Sequence, residues 1–264
     1  MCVRCIWDEV SSSSSKILSM ARPTPRSRFL VPISSFAPSA SLLASLILAR
    51  IERRFPSSVF LAVPSFYETP ELKNKPANLS VLRFRISPPP PSTADVISCI
   101  RYDRAWAVRA ASIVGADIIV LPLARTDLTA VLLEALLTGK PEASFDSQAH
   151  LVVGERKLVN LFAYIERETV AALEYVESLD LKAACMPVII TKPVLFSIIG
   201  APERDYGALE ITPRFVQAIR RPYICRACGA PSSSSLCGYC SRLGLAELSV
   251  AQIGETQRAP TCPG

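Results

Sequence analysis

The amino-acid sequence predicts an α/β protein: a parallel sheet covered by helices on both faces, with a small zinc ribbon added near the C-terminus. Three observations support this. Short runs that are apolar throughout recur along the first two thirds of the 264 residues, as strands buried on both faces require. Helical stretches separate these runs, so consecutive strands are joined by crossovers and lie parallel. Near the C-terminus, Cys225-Arg-Ala-Cys228 and Cys237-Gly-Tyr-Cys240 form two Cys-x-x-Cys pairs eight residues apart. Each pair makes a tight knuckle, and two facing knuckles complete a closed tetrahedral all-thiolate site for a structural zinc.

The elements follow in order. Cys2-Val-Arg-Cys5 is a lone knuckle that lacks two ligands; His150, Cys185 or Cys262 could complete it in space, and a vestigial half-site is the simpler reading. Ser11 to Ser15 and the stretch Ala21 to Ser27 read as linker. Phe29 to Ser35 is a buried strand and Ser39 to Arg54 a helix. Ser58 to Pro64 and Leu79 to Ile86 are further buried strands, with a polar loop from Tyr67 to Asn78 between them. Pro88 to Pro91 is a stiff spacer. Thr93 to Val114 is a helix, Ala116 to Leu121 a strand, and Asp127 to Thr138 an apolar helix stopped by Gly139. A less regular stretch follows, then a helix from Glu166 to Ser178 and a strand from Met186 to Thr191. There is no internal repeat. The expected organisation is 1–27 half-ribbon and linker, 28–192 α/β domain, 193–221 connection, 222–245 zinc ribbon and 246–264 tail.

Composition narrows the function classes. Half the residues are hydrophobic and 20% are charged, which describes a globular chain. A net charge of +6 suits a polyanionic partner without requiring one. Nine cysteines, four in a zinc pattern, indicate a reducing compartment and hence the cytoplasm. Phe29 to Ala49, an uncharged run behind Arg22, Arg26 and Arg28, imitates a signal peptide or membrane anchor. Pro32, Pro38 and the serines at 34, 35, 39 and 41 break it into a strand and a helix, so no membrane role is expected.

In a parallel sheet, the first strand–helix turn is where backbone N–H groups and a helix N-terminus cradle phosphate. Here that turn is Ser34-Ser35-Phe36-Ala37-Pro38-Ser39. It has no Gly for close backbone approach, no Lys, and no Asp for magnesium. It stands in the right place with the wrong residues.

On these residues the chain resembles the tRNA 2-thiolation proteins of the PP-loop, adenine-nucleotide alpha hydrolase superfamily. That family carries Ser-Gly-Gly-x-Asp-Ser after the first strand; Ser34 and Ser39 match the serines, while Ser35, Phe36 and Pro38 replace both glycines and the Asp. Gly115-Ala116-Asp117, Asp127, Leu133, Leu136, Leu137 and Gly139 fall on a second family pattern, but Pro122-Leu123-Ala124 stand where its Gly-His-Asn turn is expected, and Thr126 replaces an Asp. A third pattern is Cys-x-x-Cys followed by an Arg-Arg pair. It places Val96 and Cys99 on the cysteines and Arg104 on the second arginine, with Cys185-Met-Pro187 on a later Cys-Pro. Cys99 and Cys185 are thus two of three cluster positions, a vestigial cluster or sulfur site or else plain buried thiols. Cys225 to Cys240, followed by Leu243-Gly-Leu245, matches the family's ribbon.

With these losses, the resemblance implies a degenerate, non-catalytic member that takes zinc but neither ATP nor an iron–sulfur cluster. Its implied partners are tRNA and a catalytic thiolase paralogue, as a homo- or heterodimer. Two alternatives stay open. One is an active thiolase that adenylates the uridine C2 oxygen with ATP before sulfur displaces AMP; the other is a zinc-ribbon adaptor unrelated to thiolation. Arg101, Arg104 and Arg109 on one helix, and Arg220, Arg221, Arg226 and Arg242 flanking the ribbon, are the candidate contacts for RNA phosphates.

Overall fold

The apolar runs pair in parallel, as runs buried on both faces must. In the computed structural model, which describes residues 2–54, 58–70, 72, 75–188 and 223–255, the chain begins with α1 (Val3–Met20), β1 (Arg28–Pro32), α2 (Pro38–Ile51), β2 (Ser58–Pro64) and β3 (Leu79–Ser87). Next come β4 (Thr93–Asp95), α3 (Val96–Val114), β5 (Ile118–Ala124), α4 (Arg125–Leu137) and a 3-10 segment, Pro141–Ser147. There follow β6 (His150–Val153), β7 (Arg156–Phe162), α5 (Arg167–Val176) and β8 (Met186–Val188). The ribbon holds β9 (Tyr223–Ile224), β10 (Pro231–Ser232) and α6 (Gly238–Arg242), and β11 (Ser249–Glu255) follows it.

The main sheet has seven strands in the order β11-β3-β2-β1-β5-β7-β6. Its five inner strands run parallel, and the edge strands β11 and β6 are antiparallel to their neighbours. Helix α2 is apolar all round, and Ala40 to Ala49 are buried without a break, as befits a helix covered by strands on one side and by α1 and α5 on the other. Pro38 opens it in the first turn, where a missing N–H costs no helical hydrogen bond. Helix α3 starts on an Asp95 side chain that accepts from Ser98 N–H at 2.8 Å. It ends on Gly115, whose φ of +66° makes the left-handed cap.

Several expectations change. Ser11 to Ser15 are not linker but the middle of α1. Val10, Ile17 and Leu18 form its buried stripe, while Ser15 and Ser19 return their hydroxyls to the carbonyls of Ser11 and Lys16, so a serine run can stay helical. The expected tail contains β11, which zips along β3 from Ser249 to Glu255. The stretch read as irregular contains β7, a strand of the main sheet beside β5. Pro122-Leu123-Ala124 form no turn: they are buried residues of β5, which bulges between Leu121 and Ala124. The strand expected at Met186 exists but is exposed and pairs with Thr93–Asp95 in a separate two-stranded sheet. The 193–221 connection lies outside the described residues.

Because β11 is the strand that covers β3, deleting the chain from Ser249 onward should expose a long sheet edge. Thermal unfolding should drop by on the order of 10 °C, and light scattering should show self-association. A truncated chain with an unchanged midpoint and no aggregation would mean that β11 contributes nothing to the fold.

Candidate functional site

The chain runs from β1 outward to β2 and β3, then returns through α3 to β5 on the other side of β1. That reversal opens a crevice at the carboxyl ends of β1 and β5, the usual ligand position of an open α/β sheet. Ser34 to Ala37 lie there. Each backbone N–H of that turn has a partner within the chain. Ser34 N–H donates to Ser41 Oγ at 2.8 Å, and Ser35 N–H to the Asp103 carboxylate at 2.9 and 3.0 Å. Phe36 and Ala37 N–H both donate to Ser34 Oγ, at 3.3 and 3.1 Å. Ser34 Oγ in turn donates to Asp103 Oδ2 at 2.7 Å. Asp103, on α3 and buried, therefore sits where an anion would be held. Burial pushes its carboxyl up to about 6 against the opposing pull of the Ser34 and Ser35 hydrogen bonds. The donors of residues 34–37, the turn to which the resemblance ties ATP, already serve Asp103 and the serines.

The turn is also roofed. Ala184 and Cys185 N–H donate to the Ser35 carbonyl at 2.7 and 2.8 Å, and Leu181 N–H donates to Ser39 Oγ at 3.0 Å. Tyr67 Oη lies 3.3 Å from the carbonyls of both Ser34 and Ser35 and accepts from Ala184 N–H. Cys185 is disulfide-bonded to Cys99 on α3. The two cysteines paired by the resemblance thus meet at the turn, bonded to each other.

The four ribbon cysteines are buried, with sulfurs all within 4.8 Å of one another. Cys228 and Cys237 Sγ lie 3.9 Å apart, close to the ~3.8 Å edge of a tetrahedral zinc–thiolate site. This four-cysteine group could hold a metal ion such as zinc, and it is the one group of three or more potential ligands among the described residues. The first knuckle closes through Gly229 N–H to the Cys225 carbonyl at 2.8 Å. Gly229 has φ +71°, and a Cβ there would fall 2.0 Å from Val153 Cγ1 of β6, so only glycine lets the ribbon settle on the sheet. Cys2 and Cys5 stand exposed at the start of α1, with sulfurs 2.9 Å apart. His150 opens β6, Cys185 is bonded to Cys99, and Cys262 lies outside the described residues.

The arginines divide. Arg101 and Arg104, expected on a surface, are fully buried. Arg101 Nε meets Asp146 Oδ2 at 2.7 Å, Arg104 pairs with the other Asp146 oxygen, and Arg101 Nη1 donates to Cys237 Sγ at 3.3 Å. They face inward because α3 lies under the ribbon. Arg109 is half-buried, Arg226 and Arg242 are exposed, and Arg220 and Arg221 lie outside the described residues. Sequence reasoning missed Asp103 and Asp146. For Asp103 there was a signal: it immediately precedes Arg104, where the resembled pattern has its first arginine. Asp146, in an irregular polar stretch, gave none.

A mostly parallel sheet with a switch-point turn, followed by a four-cysteine ribbon, defines the class of fold. No family model matches the chain, and no curated protein matches it by sequence. Among solved structures, it is similar to the U34-tRNA thiolase NcsA from Methanococcus maripaludis with its [4Fe-4S] cluster. The TM-score is 0.64 at 15% identity, over 91% of this chain and 88% of that one. The likeness establishes the shared fold. It also contradicts the expectation that this chain takes no iron–sulfur cluster, since the neighbour carries one. In this chain Cys99 and Cys185 are bonded to each other; because a cluster is held by thiolates, loading one on them would first require that bond to be reduced.

The zinc cage and the Asp103 carboxyl can each be checked in solution. Metal analysis should give about one zinc per chain, and Cys228→Ser should lose it and open the ribbon to proteolysis; retained zinc would rule out this cage. The raised Asp103 carboxyl should leave a pH signature. Between about pH 4 and 6 the folded chain holds a proton that the unfolded chain has released. The stability present at pH 4 is therefore lost as the pH rises through 6. Urea midpoints of Asp103→Asn should lack that part of the decline; identical profiles would place its origin elsewhere.

Proposed function

We propose that this chain is a non-catalytic, tRNA-binding member of a uridine 2-thiolation system, working beside a catalytic thiolase. The observation that carries the reading is the Asp103 carboxylate bonded to Ser34 Oγ and Ser35 N–H, an internal anion at the point where a nucleotide's phosphates would have to sit. The thiolase likeness of the fold supports the pathway, because the named neighbour acts on U34 of tRNA. The net charge of +6 and the exposed Arg226 and Arg242 on a ribbon that can be held rigid by metal support an RNA partner.

In this reading Ser34, Ser35 and Asp103 keep the turn closed, Tyr67 and residues 181–185 roof it, and the ribbon presents cationic side chains to phosphates. The partner subunit supplies activation of the uridine. Calorimetry with magnesium-ATP should show no micromolar binding. Titration with tRNA, alone and with a catalytic thiolase of the same cell, should show affinity that falls steeply with salt. ATP turnover to AMP and pyrophosphate in the presence of tRNA would instead favour an active thiolase. Absence of salt-sensitive tRNA binding in both settings would end the thiolation reading.

A further inference from the structure

Between the ribbon and the α/β domain lies a cavity of about 410 Å³ that shares only Arg242 with the tRNA contacts proposed above. Its wall includes Arg101, Lys140, Tyr239 and Arg242, with the hydroxyl residues Ser232, Ser233 and Ser241. Three cations converge on one ring: the Arg101 guanidinium 4.5 Å, the Arg242 guanidinium 5.0 Å and the Lys140 ammonium 5.2 Å from the centre of Tyr239. Arg101 is the decisive member. It is fully buried, its Nε and Nη1 are used by Asp146 and Cys237, and its Nη2 makes no hydrogen bond among the described residues. A buried guanidinium N–H without an acceptor is costly unless something supplies one.

We infer that this seam is a binding site for a phosphate group, held by Arg101, Lys140 and Arg242. A tetrahedral anion with several oxygens suits a guanidinium, an ammonium and hydroxyls that approach from different sides. The acidic groups nearby do not close the site. Asp146 is committed to Arg101 and Arg104, and Asp95 meets the exposed Arg242 at a loose 3.7 Å; Glu142 also lines the cavity and has a partner of its own. The volume exceeds that of phosphate alone and has room for an attached nucleoside unit. The phosphate can thus come from a free mononucleotide or from an RNA chain.

The test is independent of thiolation and needs no tRNA. Calorimetric titration of the purified full chain with inorganic phosphate should show saturable binding. Lys140→Gln combined with Arg242→Gln should weaken it at least about tenfold, with zinc content and unfolding midpoint unchanged. Adenosine monophosphate binding more tightly than a short single-stranded RNA would identify a mononucleotide site; the reverse order, with the same loss in the double variant, would identify an RNA phosphate. No saturable binding of phosphate, nucleotide or RNA, or equal binding by the double variant, overturns the proposal while leaving the tRNA titration above to be judged on its own.

Discussion

The structure depends on one buried carboxylate shared by two buried guanidinium groups. Asp146, from the 3-10 segment after α4, pairs with Arg101 and Arg104 on α3, and all three are essentially without solvent contact. Two cations against one anion would be prohibitive in a dry interior. The remaining charge is met by the ribbon: Arg101 donates to Cys237 Sγ, and four thiolates around a divalent metal would carry a net charge of −2. The ribbon is therefore more than an appendage. Its sulfurs complete an ion cluster whose other half lies inside the α/β domain, and Gly229 against Val153 seats it at a further point.

That constraint explains which parts of the architecture were legible in the sequence. The apolar runs at β1, β2, β3 and β5 declare themselves because a strand buried on both faces has no choice of residue. The Cys-x-x-Cys spacing does the same for the ribbon. β7 was obscured because it opens with the charged, half-buried Arg156 and Lys157 before Leu158 to Phe162 become buried. α1 was obscured because serines that bond their own helix carbonyls look, in sequence, like serines in a linker. β11 has an ordinary composition and owes its strand state to the open edge of β3.

The candidate site was legible in position but not in content. Counting along the chain puts Ser34 to Ser39 at the switch point, and the missing Gly and Asp are visible there. That Asp103 occupies the anion position is a long-range fact, bridging residues far apart in sequence. The arginines show the same difficulty from the other side. A positive charge on a helix is normally read as solvated, and only partners distant in sequence, Asp146 and the ribbon sulfurs, make burial of Arg101 and Arg104 possible.

Both halves of the molecule meet on α3. At ~100° per residue, Cys99 and Asp103 share one side of the helix, while Arg101 and Arg104 fall roughly opposite. The first side locks the β1–α2 turn, through the carboxylate and through the bond to Cys185, whose own N–H holds the Ser35 carbonyl. The second side holds Asp146 and the ribbon. A rotation of α3 that relaxed either set would strand a buried charge on the other, so the helix has little freedom to adapt. The polar groups buried along α3 thus do what an apolar face could not: they fix its rotation, and with it the closed turn on one side and the seat of the ribbon on the other.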